Sequence, residues 1–383
     1  MQARSMHAPT APRGHRRRRL RIALLAAAVL GPAMAAAMPA AMPGPVVRVG
    51  QGLVQGSSKD GVDTFLGMPY AAPPVGGLRW RPPQAAPAWQ GVRQATRFGN
   101  TCPQDAPGIF ATPSDTEDCL YLNVFAPSAR GHRGKLPVMV WFYGGGLISG
   151  ESNDYDGSKL AAAGTVVVSM NFRVGALGFF SHPAIDGEGH AAINYGIMDQ
   201  QFALQWVRRN IAAFGGDPDN VTIFGQSGGA TSVIAQLVSP TAAGLFKRAI
   251  VESGTHISAT DADTARQEGE DFAAATGCGD QSAACLRRLS VAQILAHQGA
   301  ITASQAADFP TLDGNVLVRT PIQAFGSGQF NRVPILTGLT RDEQAFFLPE
   351  ATGGAPLTAE GYASYAKTIG GAHAEAILAR YPV

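Results

Sequence analysis

Three features of the sequence predict an α/β fold, with a mostly parallel central sheet covered by helices on both faces. Short continuous apolar runs recur: LPVMVWFY (136–143), GTVVVSMNF (164–172), NVTIFG (220–225), FKRAIVESG (246–254) and RVPILTGLT (332–340). Runs rich in β-branched residues with no polar alternation are what strands buried on both faces require. Segments with helical spacing lie between them, and the 383 residues are 45% hydrophobic and 15% charged, enough to bury one large core.

The first forty residues differ from the rest. Arg13, Arg16 to Arg19 and Arg21 precede IALLAAAVLG (22–31), and small residues follow around Ala35 and Ala37. This order reads as a secretory signal peptide over residues 1–37, leaving 38–383 as an exported domain, periplasmic or secreted. The paired arginines suit either general export route. The apolar run is shorter than the roughly 20 residues a membrane span needs, so no stable anchor is expected. Seven of the 30 Lys and Arg lie in residues 1–40, which carry no acid; the remainder has 23 basic against 28 acidic residues. Such a chain has no electrostatic basis for binding nucleic acid.

After the leader, VVRVGQGLVQG (46–56) alternates and turns like a hairpin. The Pro- and Gly-rich GMPYAAPPVGGLRWRPPQ (67–84) reads as a long surface-hugging loop. In MDQQFALQWVRRNIAAF (198–214), Phe202, Leu204, Trp206, Val207 and Ile211 form an apolar helix face, and GGATSVIAQLV (228–238) continues as a helix from the strand before it. Four cysteines after an export signal suggest disulfides. Of the three possible pairings, Cys102–Cys119 with Cys278–Cys285 is expected, because short loops close at least entropic cost. The rival zinc reading lacks a C-x-x-C or a nearby His pair.

One short motif carries chemistry. In VTIFGQSGGATSV (221–233), Ser227 stands between a strand and a helix, flanked by Gly225 and Gly229. G-x-S-x-G is weak by itself in a chain with 46 Gly, but this setting is the one a nucleophilic serine on a tight turn needs. Side chains at 225 and 229 would collide with the flanking elements. The helix N-terminus behind Ser227 favours negative charge. A second glycine group, Gly144-Gly145-Gly146, ends the run 136–143. The N–H groups of Gly145 and Gly146, with that of Gly228, could bind a developing oxyanion.

Seven stretches resemble the type B carboxylesterases, the family that includes para-nitrobenzyl esterases and cholinesterases. In order they are FLGMPYAAPPVGGLRW (65–80), EDCLYLNVFAP (117–127), LPVMVWFYGGGLISG (136–150), YDGSKLA (155–161), NFRVGALGFF (171–180), NYGIMDQQFALQWVRRNIAAFGGDPDNVTIFGQSGGA (194–230) and ILTGLTRDEQAFF (335–347). The resemblance extends over nearly all of 46–383. It implies an α/β-hydrolase fold and a Ser-Glu-His triad without cofactor or metal, acting on small-molecule carboxylic esters. Ser227 matches the nucleophile, Gly145, Gly146 and Gly228 the oxyanion amides, and Glu343 the acid that orients the histidine. The family places that histidine well beyond the acid. The one histidine after Glu343 is His373, in a helical stretch that looks like a family helix preceding the catalytic residue. His256 is out of order for the family, and His182 and His190 read as loop residues. The expectation is therefore a chain lacking the C-terminal part of its domain: the base, a late strand and closing helices. This implies an impaired esterase or, alternatively, a non-catalytic binding protein. Gln226 replaces a frequent Glu beside the nucleophile, and Phe110 but no Trp lies between Cys102 and Cys119, which together argue against a choline ester. Leu147 replaces a usual Phe and widens the acyl side.

Overall fold

Among the described residues, eight strands make the central sheet. In chain order they are β3 (Ser57–Lys59), β4 (Val62–Pro69), β6 (Tyr121–Pro127), β7 (Leu136–Phe142), β8 (Val166–Met170), β9 (Gly216–Gln226), β10 (Arg248–Glu252) and β11 (Ile335–Gly338). Their spatial order is β11-β10-β9-β7-β8-β6-β4-β3. The five strands from β11 to β8 run parallel, and β8, β6, β4 and β3 pair antiparallel. A separate small sheet joins β1 (Val46–Val49), β2 (Gly52–Gln55) and β5 (Val92–Gln94), with the predicted hairpin as its β1–β2 pair. The computed structural model describes residues 44–105, 112–128, 134–254, 259–307, 310–348 and 352–382. The expected leader, Phe110 and His256 lie outside them.

All five apolar runs singled out in the sequence are strands, and each belongs to the parallel part. Three strands of that sheet escape that reading: β3, β4 and β6. β6 carries Asn123 amid its apolar residues, and that side chain is buried among Ser152, Ser169 and the Gly67 amide. β4 runs through Gly67 to Pro69, so the segment read as loop begins inside a strand; its register shifts between Phe65 and Met68, where Gly67 has φ 67°. The loop beyond it is also more than surface covering. Tyr70 and Trp80 are fully buried, and the Trp80 indole N–H donates to Ala176 O at 2.9 Å. The Arg79 guanidinium holds both oxygens of Glu117, at 2.7 and 2.6 Å, and donates to Leu289 O at 2.6 Å. A chain too rich in Pro and Gly for regular structure is thus pinned by aromatic burial and a bidentate ion pair.

Helices cover both faces. One face takes α1 (Ser158–Ala162), over a small cluster of Val62, Phe125, Ala161 and Val167. Two short helices, α2 (Gly175–Gly178) and α3 (Pro183–Asp186), lead to α4 (Tyr195–Asn210), which with α5 (Gly228–Val238) covers the opposite face. Phe142, Trp206, Val233 and Leu237 all belong to the main core. Each such side chain contributes roughly 2 kcal/mol of transfer free energy. The predicted helix 198–214 starts earlier, at Tyr195, and its last turn, Ile211–Phe214, tightens to a 3-10 helix. Within the core, Arg173 grips the fully buried Asp199 through two 2.8 Å bonds. Both disulfides form as expected, Cys102–Cys119 and Cys278–Cys285.

Candidate active site

The carboxyl ends of β7, β9 and β10 and the segment after β11 bring the predicted residues to one edge of the sheet. β9 ends at Gln226 and α5 begins at Gly228, leaving Ser227 alone to reverse the chain. Its φ of 55° and ψ of −122° are strained for a residue with a Cβ. Two backbone bonds hold it there: Ser227 N–H donates to Glu252 O, and Thr231 N–H donates to Ser227 O, each at 2.9 Å. The glycines around it have the mechanical purpose foreseen. A Cβ built on Gly225 would stand 2.5 Å from Gly229 O, and one on Gly229 would stand 2.0 Å from Phe142 O. Strand β9 and helix α5 can therefore approach β7 this closely only with hydrogen at both positions. Ser227 itself is half-buried.

The register Phe142↔Gly225 sets the triple-glycine loop beside this turn. A Cβ on Gly144 would lie 3.3 Å from Ser227 Cβ, and a Cβ on Gly228 would lie 2.7 Å from Gly146 N and 3.0 Å from Leu147 N. The loop holds an unusual course: Gly145, Gly146 and Leu147 have φ of 109°, 63° and 63° in succession. Gly145 O accepts from Ile148 N–H and Ser149 N–H, both at 3.0 Å, and Leu147 O accepts from Gly175 N–H at 2.8 Å. Leu147, read in the sequence only as a smaller substitute, is a buried residue in left-handed backbone.

Glu343 opens a short 3-10 helix, Glu343–Phe346, just after β11. One of its carboxylate oxygens accepts from the Thr340 hydroxyl, from Thr340 N–H at 2.8 Å and from Ser253 Oγ at 3.0 Å. These donors, the Thr340 hydroxyl first, hold the carboxyl below its ordinary value, so it is charged at neutral pH. Ser253 follows β10 and is strained like Ser227, with φ 55°; its N–H donates to Gly338 O at 2.8 Å. Ser253 and Thr340 were not singled out in the sequence. A serine in VESGT carries no local signal of an acid ninety residues away, and only the parallel β10–β11 pairing joins them.

The described histidines are placed elsewhere. His182 is buried as the cap of α3, accepting from Ala184 N–H through Nδ1, with Nε2 2.8 Å from Gln281 Oε1. His190 contacts Glu188 and Ala191 O, and His297 contacts Gln293 O. His373 is exposed, next to the final helix Ala374–Arg380. Gln226 is exposed at the mouth of the turn.

A parallel sheet with a serine on the turn between strand and helix, beside a glycine loop, defines the α/β-hydrolase class. Residues 43–368 match the family model described as "Carboxylesterase family", and this chain belongs to that family. It is 39% identical over 320 residues to the para-nitrobenzyl esterase of Bacillus subtilis (strain 168), covering 80% of this chain and 64% of that protein. It is 41% identical over 310 residues to the fumonisin B1 esterase of Sphingopyxis macrogoltabida, covering 77% and 56%. With the cocaine esterase of Homo sapiens it shares 41% over 308 residues, covering 76% and 54%. A solved structure of PNB esterase superposes with a TM-score of 0.76 at 36% identity, over 88% of this chain and 72% of that one. The chain thus spans less than two thirds of the length of these curated relatives.

Proposed function

We propose that this chain is a serine carboxylic ester hydrolase acting through an acyl-enzyme on neutral or apolar esters. Ser227 Oγ attacks the ester carbonyl. The negative charge that develops on the carbonyl oxygen is received by the N–H groups of Gly145, Gly146 and Gly228, and Glu343 orients the histidine that accepts the serine proton. The alcohol then leaves with that proton, and water releases the acid by the same steps. One observation carries the reading: Ser227, on its strained turn, packs directly against Gly144 while Gly228 packs against the Gly146 amide. Preorganised donors of this kind contribute about 3 kcal/mol each to barrier lowering. The uncharged Gln226 beside the serine favours neutral substrates over cationic ones.

In this reading the proton acceptor is a histidine other than the described ones, of which His182 is engaged by Ala184 N–H and Gln281, His190 and His297 contact near neighbours in the chain, and His373 is exposed. That same observation favours a second reading, a binding protein of this family without turnover, because a serine hydroxyl without a base is a weak nucleophile. A fluorophosphonate probe separates the two. Stoichiometric labelling of the folded protein, lost in Ser227→Ala, supports the esterase; folded protein that takes up no probe supports the binding reading. Export follows from the basic, then apolar, N-terminal stretch and from the two disulfides, which persist in oxidising compartments. Among the described residues no helix is long and apolar enough to cross a membrane.

A further inference from the structure

Behind the nucleophile turn, three uncharged polar side chains lie at 0% exposure: Gln200 on α4, and Ser232 and Gln236 on α5. They form one chain of hydrogen bonds. Gln236 Nε2 donates to Gln200 Oε1 at 3.0 Å, Gln200 Nε2 donates to Ser232 Oγ at 2.8 Å, and Ser232 Oγ donates to Gly228 O at 3.1 Å. Packing alone does not explain them. Well-packed apolar residues of similar volume would fill the space without desolvating five polar atoms, and one of these, Gln236 Oε1, is unpaired.

We infer that Gln200 and Ser232 are positioning residues that fix the Gly228 amide for oxyanion binding. The inference rests on the esterase reading. The reason lies in the two peptide planes that meet at Gly228. The first contains the Gly228 N–H and is held by Thr231 N–H on Ser227 O. The second contains the Gly228 carbonyl. Two consecutive glycines, 228 and 229, leave the angle between these planes free of any Cβ restraint. Ser232 Oγ holds the second plane, and Gln200 fixes the hydroxyl by donating to it, so that the Ser232 proton points at the carbonyl. A charged residue would perturb the site, and an apolar one would leave the Gly228 carbonyl to the helix's own i→i+4 bond alone, which accounts for neutral polar groups here. Gln236 orients Gln200 and is one step further from the turn.

The test compares wild type with Ser232→Ala, Gln200→Met and Gln236→Met. Two readouts are used: hydrogen exchange of the peptide spanning 226–232, and the rate of Ser227 modification by a fluorophosphonate. Ser232→Ala and Gln200→Met each remove two of these bonds and Gln236→Met one, so thermal stability is recorded beside both readouts as the measure of the purely structural loss. The expected result is that Ser232→Ala and Gln200→Met raise exchange in 226–232 and slow modification, each about fivefold, whereas Gln236→Met does neither to a similar extent. Their double variant should be no worse than either single one. Equal effects in all three variants, or unchanged exchange in 226–232, would overturn the inference. Wild-type protein that takes up no probe refutes the esterase reading instead; the exchange data then decide whether the plane is pinned.

Discussion

Gly229→Ala tests the closeness of helix α5 to strand β7, on which the whole site depends. A Cβ at 229 would stand 2.0 Å from Phe142 O, 2.7 Å from Phe142 C and 2.8 Å from Tyr143 O. Ordinary heavy-atom contacts lie near 3.5 Å, so the worst overlap exceeds about 1 Å. Nothing flexible can yield, since all three atoms are backbone, at and just past the end of a strand held between two neighbours. α5 must instead move off the sheet, loosening the packing of its buried Val233 and Leu237 in the main core. Overpacking usually costs about 1–3 kcal/mol, and a backbone clash belongs at the upper end, so a loss of about 3 kcal/mol is expected. At about 2–4 °C per kcal/mol for a domain of this size, Tm should fall by about 6–12 °C. Urea unfolding followed by tryptophan fluorescence measures it, because Trp80 and Trp206 are buried. Gly77→Ala is the control: no atom lies within 4 Å of its added Cβ, and it should stay within about 0.5 kcal/mol of wild type. A Gly229→Ala protein losing less than about 1 kcal/mol would refute the reasoning.

Ser253→Ala removes one donor from Glu343; in an active protein kcat should fall about fivefold with KM unchanged, measured on a nitrophenyl ester. Replacing Cys102 and Cys119 by Ser opens a loop with a separation of 17 and should cost about 3 kcal/mol. The Cys278–Cys285 pair, separated by 7, should cost about 2 kcal/mol, and denaturant midpoints would rank the two. The Arg287 guanidinium, hydrogen-bonded to Glu188, holds that carboxyl down at about 2 from an ordinary 4.5. A carboxyl depressed on folding stabilises above its unfolded value, so this contribution is complete above pH 4.5 and is lost as pH falls toward 2. Thermal melts across that window should show Glu188→Gln with a shallower acid dependence than wild type, and parallel curves would exclude the effect.

The parallel strands were legible as uninterrupted apolar runs, most fully in VVVSM (166–170), which is buried throughout; β11, at the sheet's edge, shows the same pattern although its four residues are exposed. The antiparallel β4 and β6 were not. They carry Gly67 and the buried Asn123, whose polarity is satisfied only by Ser152, Ser169 and Gly67 once the sheet has formed. In the candidate site, the serine and the two glycine groups are local patterns, readable because tight turns and close backbone approach demand particular residues in adjacent positions. Ser253 and Thr340 around Glu343, the succession of positive φ through Leu147, and the Gln200–Ser232 contact had no such signal.

Residue order alone therefore determined the class of fold, the strand–serine–helix turn, the glycine loop and the pairing of the cysteines, all of them governed by chain-local sterics, burial or loop length. Which side chains meet at the sheet edge was decided by strand order and register. Glu343 lies more than a hundred residues from Ser227, and only the sequence β9, β10, β11 in space brings it to the same edge. Hydrogen bonds act over about 3 Å, so partners distant in the chain leave no mark on each other until the sheet brings them together.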